Sequence, residues 1–354
     1  MDEFIIKVGS LNSLNSLYTF LGSAMTDVRN RFIHGNFTEI KFDLRNLIYQ
    51  KINISALTAF ISTGKKIREA TGKPIGLILT WDPNILAFLT DIDFFAISEK
   101  LDIFYWDKRM VGGFRSGNTN PDTKIIYFSD GKSMSISNIL ANDDLLHYKS
   151  GLKQKIAPNF ALRCSSILNG FPQGLINTIT NSTIELIVNA LVHGQDIAVV
   201  GLQRSSRLIT VSVSDGGIGV RKSIMKTFGE EVNGIDNAQG LVISALMQKK
   251  EHGLRLAIEE VLNYEDNLSF VDMNFNEGWV NMSSFDAEIR WQKSNWSRAK
   301  SKFDYLDDLS QLPEAKDFLS DASQKVDKTE LDKGYWRKHN NILVGTRITF
   351  EIPL

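Results

Sequence analysis

Glu185, Asn189 and His193 stand four residues apart in "TIELIVNALVHGQD", residues 183 to 196, inside an otherwise apolar run. A helix places them along one side. There they would set a carboxylate, an amide and an imidazole on one side of an otherwise apolar helix, as a wet surface or as an active site. Thr178 and Asn181 extend the polar stripe backward, while Leu186, Ile187 and Ala190 fall mainly on a face that supplies core contacts. Plainer readings compete. Ser182-x-x-Glu185 matches a capping box, Asn189 suits a solvated surface, and His193 suits a helix C-terminus. The spacing of Leu175, Ile176, Ile179, Thr183 and Ile187 argues that the helix starts well before Ser182, which weakens the capping reading.

A second chemical signal lies in "RLITVSVSDGGIGV". Strand alternation puts Ile209, Val211 and Val213 on one face and Thr210, Ser212 and Ser214 on the other, so one face is expected to be buried and the other wet. Asp215 has the parity of the buried face, where an unpaired carboxylate is costly and calls for a donor. Gly216, Gly217 and Gly219 follow at once, letting backbone turn sharply or approach a ligand closely. Asp-Gly-Gly is also ordinary hairpin chemistry.

The elements that must position these residues form two blocks. From the N-terminus to about residue 110, "FIIKV", "TEIKFDL", "IGLILTW" and "DIFYWD" read as strands. They alternate with helical stretches at residues 11–32, 55–72 and 84–101. This alternation predicts a sheet with helices packed on it. "RMVGGFRSGNTNPDTK" reads as a linker. Beyond it, residues 159–194 read as helical with an interruption at Gly170–Pro172. "DIAVVGLQ" and "RLITVSVSD" read as strands around a turn at Arg204–Arg207, and much of 238–264 as helix. "GWVNMSSF" and "TRITFEIPL" read as later strands, with a highly charged, solvated insertion at about 293–340 between them. The expected division is 1–115, a linker at 116–125, and 126–354, with an overall α/β (α+β) class.

Composition sets bounds. The 354 residues suffice for two domains, and a net charge of −1 gives no global pull toward nucleic acid or anionic lipid. The single cysteine, Cys164, excludes an internal disulfide framework and fits a reducing compartment. "MDEFIIKVGS" lacks the features of a signal peptide, and no uncharged apolar run approaches membrane-spanning length, "NILAFLTDIDFFAI" coming nearest. A soluble, cytoplasmic protein is the expectation.

"ELIVNALVHG", "DGGIG", "HGLRLAIEEV" and "GTRITFEIPL" follow the order of boxes in the GHKL ATP-binding superfamily. That superfamily includes histidine kinases, anti-sigma serine kinases, type II topoisomerases, mismatch-repair ATPases and a heat-shock chaperone. The resemblance spans about residues 160–354 and implies a two-layer α/β sandwich that binds ATP with Mg²⁺. By this resemblance Asn189 contributes oxygen to Mg²⁺, and Glu185 orients or deprotonates the attacking water or hydroxyl. Asp215 accepts from the adenine amine, while Gly217 and Gly219 let backbone pass close to the nucleotide. Gly253 sits where a helix N-terminus meets phosphates, Thr346 supports the adenine pocket, and His193 reaches a phosphate. Arg255 replaces the second glycine of the family's Gly-Leu-Gly-Leu lid pattern, as a cationic substitute or a solvent-facing residue. Lys249 and Lys250 are further phosphate candidates or simply solvated.

The chain ends at the last strand of this fold, so the branches with a transducer domain match poorly. His147 lacks the flanking residues of a histidine-kinase acceptor. "IKFDLRNLIYQKINISALTAFISTGKKI" with "ILAFLTDIDFF" resembles STAS domains over about residues 36–107. Ser55 falls at the position of the STAS phosphoacceptor serine, but with Asn53 and Ala56 as neighbours it reads better as the cap of the following helix. Together the resemblances imply a regulator that hydrolyses ATP slowly or transfers its phosphate, as to a serine of a STAS partner. A nucleotide-gated scaffold with little turnover is the alternative. A protein partner engaged through the STAS-like unit or the lid is implied, and a homo-oligomer is compatible.

Overall fold

A computed structural model describes residues 3–33, 39–113, 122–130, 142–194, 197–229, 234–246, 253–264, 278–303 and 336–354. The fold is mixed α/β, with one parallel and one antiparallel sheet. The parallel sheet has strand order β1 (Glu3–Lys7), β2 (Glu39–Asp43), β3 (Ile75–Ile78) and β4 (Phe104–Tyr105). Its crossovers are α1 (Leu14–Ile33), α2 (Ile54–Thr71), and the pair α3 (Pro83–Asp91) and α4 (Phe94–Lys100). Strands in sequential order with crossovers of one hand carry their helices on one face. Ile40 and Phe42 point into that helical layer, whereas Lys41 on the opposite face bonds Glu3 and Glu39.

Local chemistry sets the helix ends. Asn53, not Ser55, caps α2: the helix begins one residue before Ser55, and the Asn53 side chain accepts from the Ser55 amide at 2.8 Å. Gly72 ends α2 at φ 69°, as a left-handed C-terminal glycine does. The expected single helix over 84–101 is two, because Asp93 takes a left-handed conformation (φ 67°) and redirects the chain.

The antiparallel sheet has order β5-β6-β7-β9-β8. It comprises β5 (Thr123–Phe128), β6 (Ala198–Arg204), β7 (Leu208–Ser214), β8 (Trp279–Gln292) and β9 (Trp336–Pro353). β5 begins inside the stretch assigned to the linker. On one face lie α5 (Asn142–Ile167), α6 (Gln173–Asn189), α7 (Gly219–Phe228), α8 (Asn237–Leu246) and α9 (Gly253–Leu262). α7 was not expected from sequence. The charged insertion is not wholly solvated. Lys293–Phe303 form α10, whose Trp296 packs edge-on against Trp291 at 5.2 Å, and residues 336–340 belong to β9.

The largest departure from expectation concerns the other face of this sheet. Ser212 and Ser214 are 0% exposed, and Thr210 and Thr349 are buried with them. The cover is α2, packed on β6 and β7, with α1 against β9. Thr58 Oγ1 meets Ser212 Oγ at 3.0 Å, Thr349 Oγ1 donates to Ser212 Oγ at 3.0 Å, and Ser62 Oγ meets Ser214 Oγ at 2.7 Å. A side chain at Gly201 would place its Cβ 2.4 Å from Ile54 Cγ1, so glycine there lets α2 lie close. Arg347, fully buried, donates to the carbonyls of Leu343 and Val344 and to Thr63 Oγ1. Asn341 Nδ2 donates to the Tyr18 carbonyl at 3.0 Å, and the Tyr18 ring stacks on His339 at 3.7 Å. Hydroxyls that read as a wet face are satisfied by other hydroxyls. The α2 helix, expected to be amphipathic, is therefore buried all round from Ile54 to Gly64.

Among the described residues one stretch, Gln173–Gly194, is long and apolar enough by length and composition to cross a membrane, although it carries the charged Glu185. It is largely buried within the protein, as a core helix is. Cys164 is buried on α5, and burial pushes its thiol up to about 11.

Candidate functional site

α6 runs continuously from Gln173 to Asn189 and then opens into a π-helical turn, Ala190–Gly194. Ser182 is therefore mid-helix; its hydroxyl donates to Glu260 Oε2 at 2.8 Å, which removes the capping reading of Glu185. The π-turn, a feature often found at functional sites, keeps Asn189 and His193 on one wall of a cavity.

That cavity has an empty volume of about 860 Å³ including its open mouth. Asn189, His193, Asp215, Gly219 and Thr346 line it together. Leu186, Val213, Ile224, Leu254 and Ile348 supply an apolar wall, and Ser223 and Ser244 add hydroxyls that sequence reasoning missed.

Asp215, 4% exposed, is fixed by backbone. Its Oδ1 accepts from the amides of Gly217 at 2.8 Å and Thr346 at 3.1 Å, and its own amide donates to the Thr346 carbonyl at 2.9 Å. Close packing makes this possible. A Cβ on Gly345 (φ 94°) would lie 2.0 Å from the Asp215 carbonyl oxygen. A Cβ on Gly217 would lie 1.9 Å from the Gly194 carbonyl oxygen. Gly217 thus serves the site from behind the wall. Gly219 (φ 77°) opens α7, and the next amide, that of Val220, donates to Ser284 Oγ at 3.2 Å.

Glu185 and Gly253 do not line the cavity. They touch each other beside it: a Cβ on Gly253 would sit 1.8 Å from Glu185 Oε2. The next residues along, Leu186 and Leu254, are in the wall. The other carboxylate oxygen of Glu185 is ion-paired with Lys153 of α5. Lys149, one turn earlier, meets His193 Nε2 at 3.2 Å, and Ser223 Oγ lies 3.4 Å from Nδ1. An ammonium only donates, so Nε2 accepts and Nδ1 carries the proton toward Ser223. Both lysines went unnoticed in the sequence. Their signal was the i,i+4 spacing on a helix joined to α6 by a short connection.

Arg255 is not solvent-facing and does not line the cavity. It is 5% exposed, and its Nη1 donates to the Leu246 carbonyl at 3.0 Å while Nε reaches Glu259 at 3.2 Å. Lys249 and Lys250 lie outside the described residues. Behind the site, burial pulls the Arg347 guanidinium below its ordinary value, and the Tyr18 hydroxyl and the Asp215 carboxylate oppose that shift.

Among the described residues no group of three or more His, Cys, Asp or Glu side chains is placed to hold a metal ion. The Asn189 amide suits a hard ion that draws its remaining oxygens from phosphate and water. Comparison of the chain with models of known protein families, with curated proteins and with solved structures returned no match.

Proposed function

We propose that the cavity binds Mg·ATP and that the chain is a GHKL-type regulator whose nucleotide state controls a protein partner. The observation that carries this reading is the convergence of Asn189 and a backbone-locked Asp215 on one apolar cavity. In this reading the Asp215 carboxylate accepts from the adenine amine, with the Gly217 and Thr346 amides fixing its direction. The apolar wall takes the purine faces. Asn189 would hold Mg²⁺, which neutralises phosphate charge, and His193 contacts phosphate. Glu185 orients or deprotonates the attacking water or hydroxyl once its carboxylate is turned toward the nucleotide. The reaction is slow hydrolysis or transfer of the terminal phosphate in a cytoplasmic setting. The STAS-like N-terminal unit, or the segment between Gly219 and Gly253, presents the partner surface. Ser55 is a poor phosphoacceptor, being 6% exposed and bonded to Asn53.

A second reading, a nucleotide-gated scaffold with little turnover, is favoured by the engagement of Glu185 with Lys153 and Gly253. Calorimetric titration with ATP, with and without magnesium, tests the site. Asp215→Asn is expected to abolish binding in both conditions and Asn189→Ala only the magnesium-dependent part. Equal magnesium-dependent binding by the wild type and both variants dismisses the site. Glu185→Ala separates the two readings: hydrolysis lost with binding retained marks an enzyme, whereas a wild type without turnover marks the scaffold.

A further inference from the structure

α5 and α6 are joined by residues 168–172 and pack as an antiparallel pair. This lays Lys149 and Lys153 along the polar stripe of α6, Lys149 on His193 and Lys153 on Glu185. Glu185 is held from two sides, by the Lys153 ammonium and by the start of α9, where Gly253 lacks the Cβ that would strike Oε2. Both side chains keep access to solvent, at 40% for Lys153 and 25% for Glu185. An ion pair so exposed contributes little to folding. Its placement, with Leu186 and Leu254 of the cavity wall as the next residues, gives it another use.

We infer that Lys153 is a latch: it restrains the Glu185 carboxylate and exchanges it for the terminal phosphates of a nucleoside triphosphate. Lys149 offers the same phosphates a second ammonium from α5. This rests on the nucleotide reading of the cavity and deepens it. A phosphate carries more charge than a carboxylate and competes for the same ammonium. Capture of the phosphate therefore frees Glu185 at the moment its base is needed. A monophosphate, lacking the distal phosphates, leaves the latch in place. Lys153 acts on the reaction through Glu185 and is a positioning residue in that respect.

The test compares ATP and AMP binding to the full-length protein in wild type, Lys153→Met, Lys153→Arg and the double variant Lys153→Met/Glu185→Gln, with thermal unfolding alongside. Lys153→Met is expected to weaken ATP about tenfold, the size of one charge-assisted hydrogen bond, while leaving AMP affinity unchanged. Lys153→Arg is expected to retain ATP binding. In the double variant ATP affinity rises above that of Lys153→Met, because an unlatched carboxylate no longer repels phosphate. Unchanged ATP affinity in Lys153→Met, or equal loss for ATP and AMP, overturns the latch and leaves the nucleotide site standing. A wild type that binds neither nucleotide overturns the nucleotide reading and the latch with it.

Discussion

On one face of the antiparallel sheet, Val211, Val213, Ile348 and Phe350 meet α6 and its neighbours, and the packing stops short around Asp215 to leave a cavity. On the opposite face, Ser212 and Ser214 meet Thr58 and Ser62 of α2, and Thr349 bonds Ser212 beside them, with little room to spare at Gly201. Neighbouring residues of the same strand thus serve opposite ends. The comparison teaches that a nearly filled, hydroxyl-paired face can hold β7 and β9 in place while the other face stays hollow enough for a ligand. Dispersion and hydrogen bonding absent from the cavity side are supplied from behind.

The largest effect that sharpens this contrast belongs to glycine. Gly217→Ala forces a methyl group onto the Gly194 backbone, which has no rotamer to yield, and about 3 kcal/mol of stability is expected to be lost. Asp215 loses its amide partner in the same step. Gly201→Ala meets first the side chains of Ile54 and Thr58 and is expected to cost about 1–2 kcal/mol while leaving the cavity's ligand affinity unchanged. Urea denaturation and nucleotide titration of the two variants measure both quantities. If Gly201→Ala disturbs the cavity as much as Gly217→Ala does, the two faces are not separable.

A smaller effect concerns the hydroxyl seam. Ser62→Ala strips Ser214 of its bond across the interface and is expected to cost about 1 kcal/mol. The double variant Ser62→Ala/Ser214→Ala should lie closer to wild type than the summed singles, because no hydroxyl is left buried alone. Strict additivity in denaturation midpoints would argue against the pairing.

The smallest expected effect lies in acid, at the edge where α1 meets β9. Burial pushes the Glu288 carboxyl up, but hydrogen bonds from His339 and Asn281 more than offset this and hold it below the ordinary glutamate value of 4.5. A depressed folded-state pKa gives stability that is present above the unfolded value and lost as pH falls through the folded one. The stability gap between wild type and Glu288→Gln is therefore expected to narrow as pH drops below 4.5. A gap that is constant with pH would show that the bonds to Glu288 do not depend on its charge.

Part of the cavity was legible in the sequence because the rules that place Asn189 and Asp215 are local, helix period and strand parity, whereas Thr346 came only from the order of boxes in the resemblance. The misses arose where a residue's meaning depends on what packs against it. Ser55, Thr58, Ser62 and Thr63 look like the polar side of an amphipathic helix, and Ser212 and Ser214 like a solvated strand face. Small hydroxyls suit water and suit each other, so only their juxtaposition decides. Lys149 and Lys153 gained significance through the pairing of α5 with α6; their i,i+4 spacing was visible, but not what that side of α5 faces. Arg255 read as a cationic lid substitute or a solvent-facing residue, yet its side chain is buried and donates to the carbonyl that ends α8.

α2 is the crossover helix of one sheet and the roof of the other. Cutting the chain between residues 113 and 122 would consequently yield fragments rather than modules. One piece would carry a helix stripped of half its neighbours, and the other a bare row of serine and threonine hydroxyls. In heredity as in engineering, the two halves must travel together.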